Sequence, residues 1–217
     1  MKTVLVAGAT GYTGQAFLEW VRVQPQWQAV ALVRPESKNK ASISEEVSCV
    51  EVDPLNTEEL DHVLEDYKID LVASFIGTTR AQFAEGVNYE TVDIGSARSL
   101  VMACEKKKVE KFILLSAVGA SRVGNAYLRA KWEAEQVVIQ SDLNYVIVRP
   151  SFIVGPERQL PQMLNPIFQG LSKIYFTRSL SKLYCPIDRV DLAKWLFQAC
   201  AEDKWDKNII DGRDWLT

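Results

Sequence analysis

Three glycines, spaced three residues apart, follow the first apolar segment of this 217-residue chain. Lys2–Ala7 is rich in β-forming residues, and Gly8, Gly11 and Gly14 come between it and a predicted helix over Gly14–Val23. Small residues at such a turn let backbone N–H groups approach a pyrophosphate, and the helix N-terminus adds a partial positive charge. An ordinary tight turn is the alternative, but a turn that heads a repeated β/α pattern favours dinucleotide binding.

Strand-like and helix-like segments alternate as far as residue 150. The further predicted strands are Gln28–Val33, Ser48–Val52, Leu71–Ile76, Lys111–Ser116 and Tyr145–Val148. The further predicted helices are one capped by Asn56 or Thr57 that reaches Asp66, and the segments Tyr89–Lys107 and Asn125–Gln140. Strands that are apolar along their whole length are typical of parallel sheets buried on both faces. The pattern predicts an α/β fold, a doubly wound parallel sheet with helices on both faces.

The alternation of strand and helix is predicted to stop after Pro150. Further prolines then interrupt the chain, and Val190–Cys200 is the clearest helix of the remainder. The composition gives no sign of a linker before this part of the sequence. We therefore expect one domain over residues 1–217, in which Ser151–Thr217 forms a small C-terminal cap on the substrate side.

Arg34 follows the second predicted strand, where an NAD-specific site commonly has Asp or Glu to hold the ribose 2′-hydroxyl. A guanidinium instead suits a 2′-phosphate, and Lys38 and Lys40 add positive charge nearby. Glu36 keeps an acidic option open, and a loop that is rich in lysine by chance is the alternative interpretation. The segment predicts NADP(H) as the preferred cofactor, with NAD(H) possible.

Tyr127 and Lys131 are four residues apart in a predicted helix, which puts both side chains on one helical face. A nearby ammonium favours the phenolate and thereby lowers the pKa of the tyrosine. Such a tyrosine can exchange a proton with a carbonyl or hydroxyl oxygen on the carbon that takes part in hydride transfer. The spacing alone is a common accident on helix surfaces, but its place after the fifth strand makes the pair a candidate acid/base site.

The spacing G-x-x-G-x-x-G over Gly8–Gly14, with Tyr-x-x-x-Lys at Tyr127 and Lys131, resembles short-chain dehydrogenases/reductases, especially extended and atypical members. It departs from the usual dehydrogenase spacing G-x-G-x-x-G. The runs Gly77-Thr78-Thr79-Arg80 and Phe112-Ile113-Leu114-Leu115-Ser116 look like the Tat-interacting-protein-like branch, whose members bind NADPH. The likeness extends from the N-terminus to about Pro156.

This resemblance implies a Rossmann-like fold and a role for each matching residue. Tyr127 would be the acid/base, Lys131 would hold the nicotinamide ribose, and Asp53 would contact the adenine. Arg149-Pro150-Ser151 would run past the nicotinamide. The predicted cofactor-binding residues are Gly8, Thr10, Gly11, Tyr12, Thr13, Gly14, Arg34, Asp53, Gly77, Thr78, Thr79, Lys131, Pro150 and Ser151.

The serine that fixes the substrate oxygen in short-chain dehydrogenases/reductases has no clear counterpart here. Ser116 lies at the end of the fifth strand, but extended members often carry this serine one or two places later, where this chain has Ala117 and Val118. Ser116 takes the catalytic role in one interpretation, and Ser121 is a weaker candidate. The alternatives are that the serine is absent, or that Ser116 only satisfies backbone groups at the strand end.

Three functions agree with these motifs. The leading hypothesis is an oxidoreductase that transfers a hydride between NADP(H) and a small carbonyl or alcohol substrate, as a monomer or homodimer. The second is a non-catalytic NADP(H)-binding regulator or redox sensor with a protein partner. The third, a sugar-nucleotide epimerase or dehydratase, is disfavoured because the short tail leaves little chain to enclose such a substrate.

Composition argues against several other classes. A net charge of −3 and a pI of about 5.4 give no basic footprint for nucleic acid. No C-x-x-C pair occurs and His62 is the only histidine, so no metal site is expected. No signal peptide and no apolar run long enough to cross a bilayer are evident, so no membrane association is expected. With four scattered cysteines that we expect to be reduced, the chain is predicted to be cytoplasmic.

Overall fold

The computed structural model describes residues 1–37, 43–78, 88–156, 158 and 186–211. Its strands are β1 (Lys2–Ala7), β2 (Trp27–Val33), β3 (Ser48–Glu51), β4 (Leu71–Ser74), β5 (Lys111–Leu115), β6 (Tyr145–Arg149), β7 (Ile153–Val154), β8 (Ile187–Asp188) and β9 (Asn208–Asp211). Its α-helices are α1 (Tyr12–Arg22), α2 (Thr57–Asp66), α3 (Ser96–Lys107), α4 (Ala126–Ile139) and α5 (Arg189–Ala201). A π-helical turn, Glu90–Gly95, leads into α3, and a 3₁₀ turn, Asp203–Trp205, precedes β9.

Within the described residues, seven strands form one parallel sheet in the order β3-β2-β1-β4-β5-β6-β9. The strand order reverses beside β1, because the chain first builds outward through β2 and β3 and then returns to β4 on the other side of β1. In open α/β sheets of this kind, ligands bind outside the carboxyl ends of the strands at that reversal. The topology therefore points to the loops after β1, β2 and β4.

Both faces of the sheet are buried by helices. In β1, Val4 and Val6 belong to the core that includes residues of α1 and α5, whereas Leu5 and Ala7 belong to the core that includes residues of α2, α3 and α4. Because neighbouring side chains point to opposite faces, a strand covered on both sides must be apolar throughout. This arrangement confirms the predicted doubly wound parallel sheet.

The predicted elements before residue 150 are all present, with ends that differ by no more than two residues except in one helix. Asn56 caps α2 as expected, since its side chain accepts a hydrogen bond from the N–H of Glu59. The exception is the predicted helix Tyr89–Lys107, whose first part is the π-helical turn Glu90–Gly95. Such turns change which side chains face inward, and they occur often at functional sites.

The prediction that the alternation stops after Pro150 is wrong. Beyond this residue α5 packs beside α1, and β9 pairs in parallel with β6 as an edge strand of the main sheet. The sequence signal of β9 is weak because the strand has four residues, of which only Ile210 is buried. The buried Lys111 at the start of β5 forms an ion pair with Asp206 at 2.7 Å, which fastens the turn before β9. Much of the proposed cap, 157, 159–185 and 212–217, lies outside the described residues.

Two features are absent from the described part of the chain. No helix in it combines the length and apolar character needed to cross a membrane. The same residues contain no cluster of three or more His, Cys, Asp or Glu side chains that could hold a metal ion.

Candidate functional site

The glycine turn after β1 is shaped by two positions that exclude any side chain. Gly8 has a φ of +82°, and a Cβ there would lie 2.8 Å from the carbonyl carbon of Phe75. A Cβ on Gly14 would lie 2.2 Å from the carbonyl oxygen of Gly8. Gly11 precedes α1 and has no side chain with which to cap the helix. The first-turn N–H groups of α1 have no acceptor within the helix, so the turn can receive an anion.

A cleft follows the carboxyl ends of the strands on both sides of this turn. It consists of two adjoining cavities of about 260 Å³ and 560 Å³. Residues common to the lining of both are Thr10, Gly11, Arg34, Glu36, Phe75 and Gly77. The shared lining makes the cavities two halves of one elongated cleft, centred on the glycine turn.

The smaller half suits an adenosine. Leu32, Pro54 and Leu55 give it apolar walls, and Asp53 also lines it. The Asp53 carboxylate accepts a hydrogen bond from the N–H of Leu55 at 2.9 Å, which orders the loop after β3. Gly8 belongs to this half as well.

Charges of both signs lie where the two halves meet. Arg34 and Glu36 are exposed and line both cavities. The Ser37 hydroxyl donates a hydrogen bond to Thr10 Oγ1 at 3.2 Å, which connects this loop to the glycine turn. Lys38 and Lys40, which were predicted to add positive charge near Arg34, lie outside the described residues.

The larger half collects the residues predicted for the nicotinamide end. Tyr127, Lys131 and Ser116 line it together with Pro150 and Ser151. The lining of this cavity also includes Tyr12, Thr13, Gly77 and Thr78. Gly14 lies beneath the turn and lines neither cavity, while Thr79 and Arg80 fall outside the described residues.

Lys131 is held by a buried ion pair that was not predicted from the sequence. Its ammonium lies 3.0 Å from Asp93 Oδ1 and donates a hydrogen bond to the carbonyl oxygen of Ile76 at 3.1 Å. Asp93 accepts two further hydrogen bonds through Oδ2, at 3.0 Å from the N–H of Thr78 and at 2.6 Å from its hydroxyl. Asp93 belongs to the π-helical turn, and both charged side chains are buried. A buried ammonium needs such partners, because its desolvation is otherwise costly.

The sequence did carry a signal for this partner. Asp93 is flanked by Val92 and Ile94 in a segment predicted to pack on the sheet. A lone carboxylate among apolar residues on a helix is either exposed or paired with a buried cation. The α-helical period does not predict which way Asp93 points, because Asp93 lies in a π-helical turn with a different number of residues per turn.

Tyr127 favours its protonated form in this environment. Burial is the main cause that raises the pKa of the phenol, and the Lys131 ammonium is the largest opposing effect. Asp93 and Tyr89 also raise the pKa, whereas Arg158 lowers it. The expectation that Lys131 depresses the pKa of Tyr127 is thus correct for that pair but is outweighed by burial. A phenol that keeps its proton is suited to donate one.

Ser116 uses its hydroxyl proton elsewhere. The hydroxyl lies 2.5 Å from Glu135 Oε1 and donates to it, and the same fully buried carboxylate accepts two bonds from Arg149, at 2.7 Å and 2.5 Å. A hydroxyl has one proton, so Ser116 in this state can accept a hydrogen bond in the cleft but cannot donate one. Ser121 forms a turn with Gly124 and is not among the described residues that line the cleft.

Ser151 offers a second hydroxyl in the same half of the cleft. Its Oγ atom is buried and has no hydrogen-bond partner among the described residues. A buried hydroxyl without a partner is costly, and a bound molecule can satisfy it. This observation fits a residue beside a ligand.

Comparison with known families agrees with the dinucleotide site. A family model described as NAD(P)H-binding matches residues 8–172, from the glycine turn past α4. Protein FMP52-1, mitochondrial, of Scheffersomyces stipitis is 26% identical over 96% of this chain and 93% of its own length. An uncharacterized chloroplastic protein of Arabidopsis thaliana is 35% identical, over 69% of this chain and 58% of its own. Protein TIC 62, chloroplastic, of Oryza sativa is 29% identical over 70% of this chain but only 35% of its own.

These relatives overturn one expectation. Their names place them in mitochondria or chloroplasts, which contradicts the prediction of a cytoplasmic protein. That prediction rested on cysteine usage and on the lack of a recognisable signal peptide. Neither property distinguishes the cytoplasm from an organelle interior.

Solved structures agree on the fold. The enzyme WbmH of Bordetella bronchiseptica in complex with NAD⁺ has a TM-score of 0.71 at 18% identity, over 93% of this chain and 72% of WbmH. The oxidoreductase ylbE of Lactococcus lactis has a TM-score of 0.69 at 18% identity, over 95% of this chain and 88% of ylbE. UDP-glucose 4-epimerase of Brucella ovis has a TM-score of 0.72 at 18% identity, over 99% of this chain and 81% of the epimerase. A fold shared by an oxidoreductase and an epimerase does not decide the reaction, which must be argued from the site.

Proposed function

The chain belongs to the NAD(P)H-binding family, and from this premise we propose that it is an NADPH-dependent reductase of a small carbonyl compound. The family model and the glycine turn support a nicotinamide cofactor. The choice of NADPH, the carbonyl substrate and the role of Tyr127 are the proposal. They rest on the side chains that line the cleft.

One observation carries the proposed reaction. Tyr127, with a raised phenol pKa, lines the same half of the cleft as Lys131, whose ammonium is held by Asp93. Reduced nicotinamide, when bound, supplies the hydride. Tyr127 donates the phenolic proton to the carbonyl oxygen, so that the substrate carbon gains the hydride and its oxygen gains the proton. Lys131 remains fixed beside it to hold the nicotinamide ribose and to stabilise the phenolate that is left.

The proposed preference for NADPH over NADH rests on Arg34. Its guanidinium lines the cleft after β2, where a ribose 2′-phosphate would lie, and a planar guanidinium can contact a phosphate through two N–H groups. Glu36, which lines the same cavity, would disfavour the phosphate and so reduce this preference. We therefore expect the chain to bind NADPH more tightly than NADH, and to bind NADH as well at higher concentration.

The test compares Tyr127→Phe with the wild-type chain in NADPH oxidation with a panel of small aldehydes and ketones. We expect the variant to lose turnover by about 100-fold or more, since proton donation contributes on this order, while its Kd for NADPH is unchanged. Tyr67→Phe, at the partly exposed end of α2, is the matched control. A Tyr127→Phe protein that turns over as fast as the wild type contradicts the mechanism.

The hydrogen bond from Ser116 to Glu135 favours a second candidate, an NADP(H)-binding regulator without turnover. If no serine donates to a substrate oxygen, the cofactor could instead set a conformation that a partner protein recognises. This alternative predicts tight NADPH binding, no oxidation with any member of the panel, and a partner protein whose binding depends on NADPH. Turnover by the wild type that requires Tyr127 excludes it.

A further inference from the structure

Among the described residues, two arginine side chains lie over the ring of Tyr12, the first residue of α1. The guanidinium carbon of Arg158 is 4.8 Å from the ring centroid, and that of Arg189 is 4.9 Å from it. Cations attract the face of an aromatic ring, so these contacts hold both guanidinium groups at the N-terminus of α1. Tyr12 thus connects the glycine turn to residues far along the chain.

The chain after β6 is folded back to make this contact. Gly155 and Arg158 exchange two backbone hydrogen bonds, at 3.1 Å and 3.0 Å, and β7 pairs in parallel with β8 just before α5. A Cβ on Gly155 would lie 2.3 Å from Tyr12 Oη, so only glycine permits this approach. The turn that carries Arg158 is therefore packed directly on the side chain of Tyr12.

The charge on these arginines is not balanced by a described carboxylate. Two nearby cations do have carboxylate partners, since Lys131 pairs with Asp93 and Arg149 with Glu135. No described acidic residue forms an ion pair with Arg158. The Nε atom of Arg189 is buried and has no hydrogen-bond partner among the same residues.

Arg158 also lines the larger half of the cleft, and it is near enough to Tyr127 to lower the pKa of that phenol. The central carbon of the Arg158 guanidinium lies over the Tyr12 ring, and a guanidinium carries five N–H donors. Two of these donors can bind anionic oxygens through parallel hydrogen bonds. A pyrophosphate received by the first-turn N–H groups of α1 would lie beside this guanidinium.

We propose that Arg158, stacked on Tyr12, binds the pyrophosphate of the dinucleotide from the side opposite the glycine turn, and that Arg189 holds Tyr12 and strengthens the positive potential there. This proposal rests on the cofactor of the proposed function and adds a residue after β7 to that site. Pyrophosphate is favoured over an anionic substrate because the guanidinium stacks on the very residue that begins α1. The cofactor would be held from two sides, by backbone N–H groups and by a side chain.

Calorimetric titration tests this with three ligands. NADPH and ADP-ribose contain the pyrophosphate, whereas adenosine 2′-monophosphate does not. Arg158→Ala is expected to weaken NADPH and ADP-ribose by about tenfold or more, since a hydrogen bond to a charged group contributes on this order, and to leave adenosine 2′-monophosphate unchanged. Arg129→Ala, an exposed arginine on α4 outside the cleft lining, is the matched control and should bind all three as the wild type does.

Each other outcome of the titration has a defined meaning. Unchanged affinity of Arg158→Ala for ADP-ribose overturns the proposal, and a raised KM for carbonyl substrates that carry a carboxylate would then assign Arg158 to substrate. A wild-type chain that binds no dinucleotide contradicts the proposed function instead. If Arg158→Ala has a lower thermal unfolding midpoint, the proposal is tested on the wild type instead. ADP-ribose should slow the modification of Arg158 by phenylglyoxal, measured by peptide mass spectrometry. A modification rate that ADP-ribose leaves unchanged overturns the proposal.

Discussion

The two halves of the cleft are built in different ways. The half around the glycine turn is defined by the backbone. Gly8 and Gly14 have no space for a Cβ, because other backbone atoms lie too close to them. The half around Tyr127 is defined by side chains that meet from separate elements, such as the pair of Lys131 on α4 with Asp93 in the π-helical turn. The first kind of site can be read from local sequence, whereas the second depends on long-range packing. Substitutions in the two halves should therefore affect different properties, such as stability, cofactor affinity or the pH dependence of activity.

The largest effect is expected on stability in the Tyr127 half. Glu135→Ala leaves the Arg149 guanidinium half-buried without its partner and removes the acceptor of the Ser116 hydroxyl. We expect the free energy of unfolding to fall by about 3–5 kcal/mol, measured by urea denaturation. Glu133→Ala on the same helix is the control, because Glu133 is only partly buried and its ion-pair partner, Arg129, is exposed and lies 3.7 Å away. Equal effects of the two substitutions would contradict the account of Glu135.

In the turn half, Arg34 should control the choice of cofactor. Arg34→Asp removes the group proposed to bind the 2′-phosphate and introduces a repelling charge. We expect the ratio of NADPH to NADH affinity to fall by about 10- to 100-fold in titrations followed by tryptophan fluorescence. A wild type that binds both cofactors equally would refute the role given to Arg34.

Gly14→Ala tests the backbone constraint. The added Cβ would meet the Gly8 carbonyl oxygen at 2.2 Å, so the turn must shift. We expect a loss of about 1–3 kcal/mol in stability and much weaker NADPH binding. Gly11→Ala gives the graded comparison, since its Cβ would lie at 3.1 Å from the same oxygen. A larger loss at Gly11 than at Gly14 would show that the packing argument is wrong.

The smallest expected effect is a change in pH dependence. Asp93 raises the pKa of Tyr127, so Asp93→Asn should lower it, while Lys131, Tyr89 and Arg158 remain as the other charged or titratable neighbours. Reduction needs the protonated phenol and is lost as the pH rises through the pKa of Tyr127. The alkaline limb of kcat/KM should therefore move to lower pH in the variant.

The control for this substitution is Asp191→Asn, an exposed carboxylate on α5. It should leave the pH profile where the wild type has it. An alkaline limb that stays in place or moves upward in Asp93→Asn would contradict the assigned influence of Asp93 on Tyr127.

The contrast between the halves also explains what the sequence could predict. The strand periodicity, the glycine turn and the cap at Asn56 are local, and the structure contains all three. Asp93 was not predicted, because its contact with Lys131 depends on a π-helical turn that has no recognisable sequence pattern. Glu135 was missed because a carboxylate on a helix looks solvated until Arg149 and Ser116 are brought against it.

The tail shows the same limit on a larger scale. β9 has too few buried residues to be recognised alone, and it becomes a strand because β6 offers a free edge. Arg158 carried no local signal either, since its role depends on contact with Tyr12, which lies at the other end of the chain. Sequence patterns predicted the frame of the site together with Arg34 and Lys131, while the roles of Asp93, Glu135 and Arg158 emerged only from the packing.

The most direct test of the central claim is a crystal structure of the chain with NADP⁺. The account predicts the adenine between Leu32 and Pro54, the pyrophosphate at the glycine turn, and the nicotinamide ribose within hydrogen-bond distance of Lys131. Tyr127 Oη should then face the space above the nicotinamide where a carbonyl oxygen would lie. A nicotinamide placed away from Tyr127, or a dinucleotide bound outside this cleft, would contradict the account.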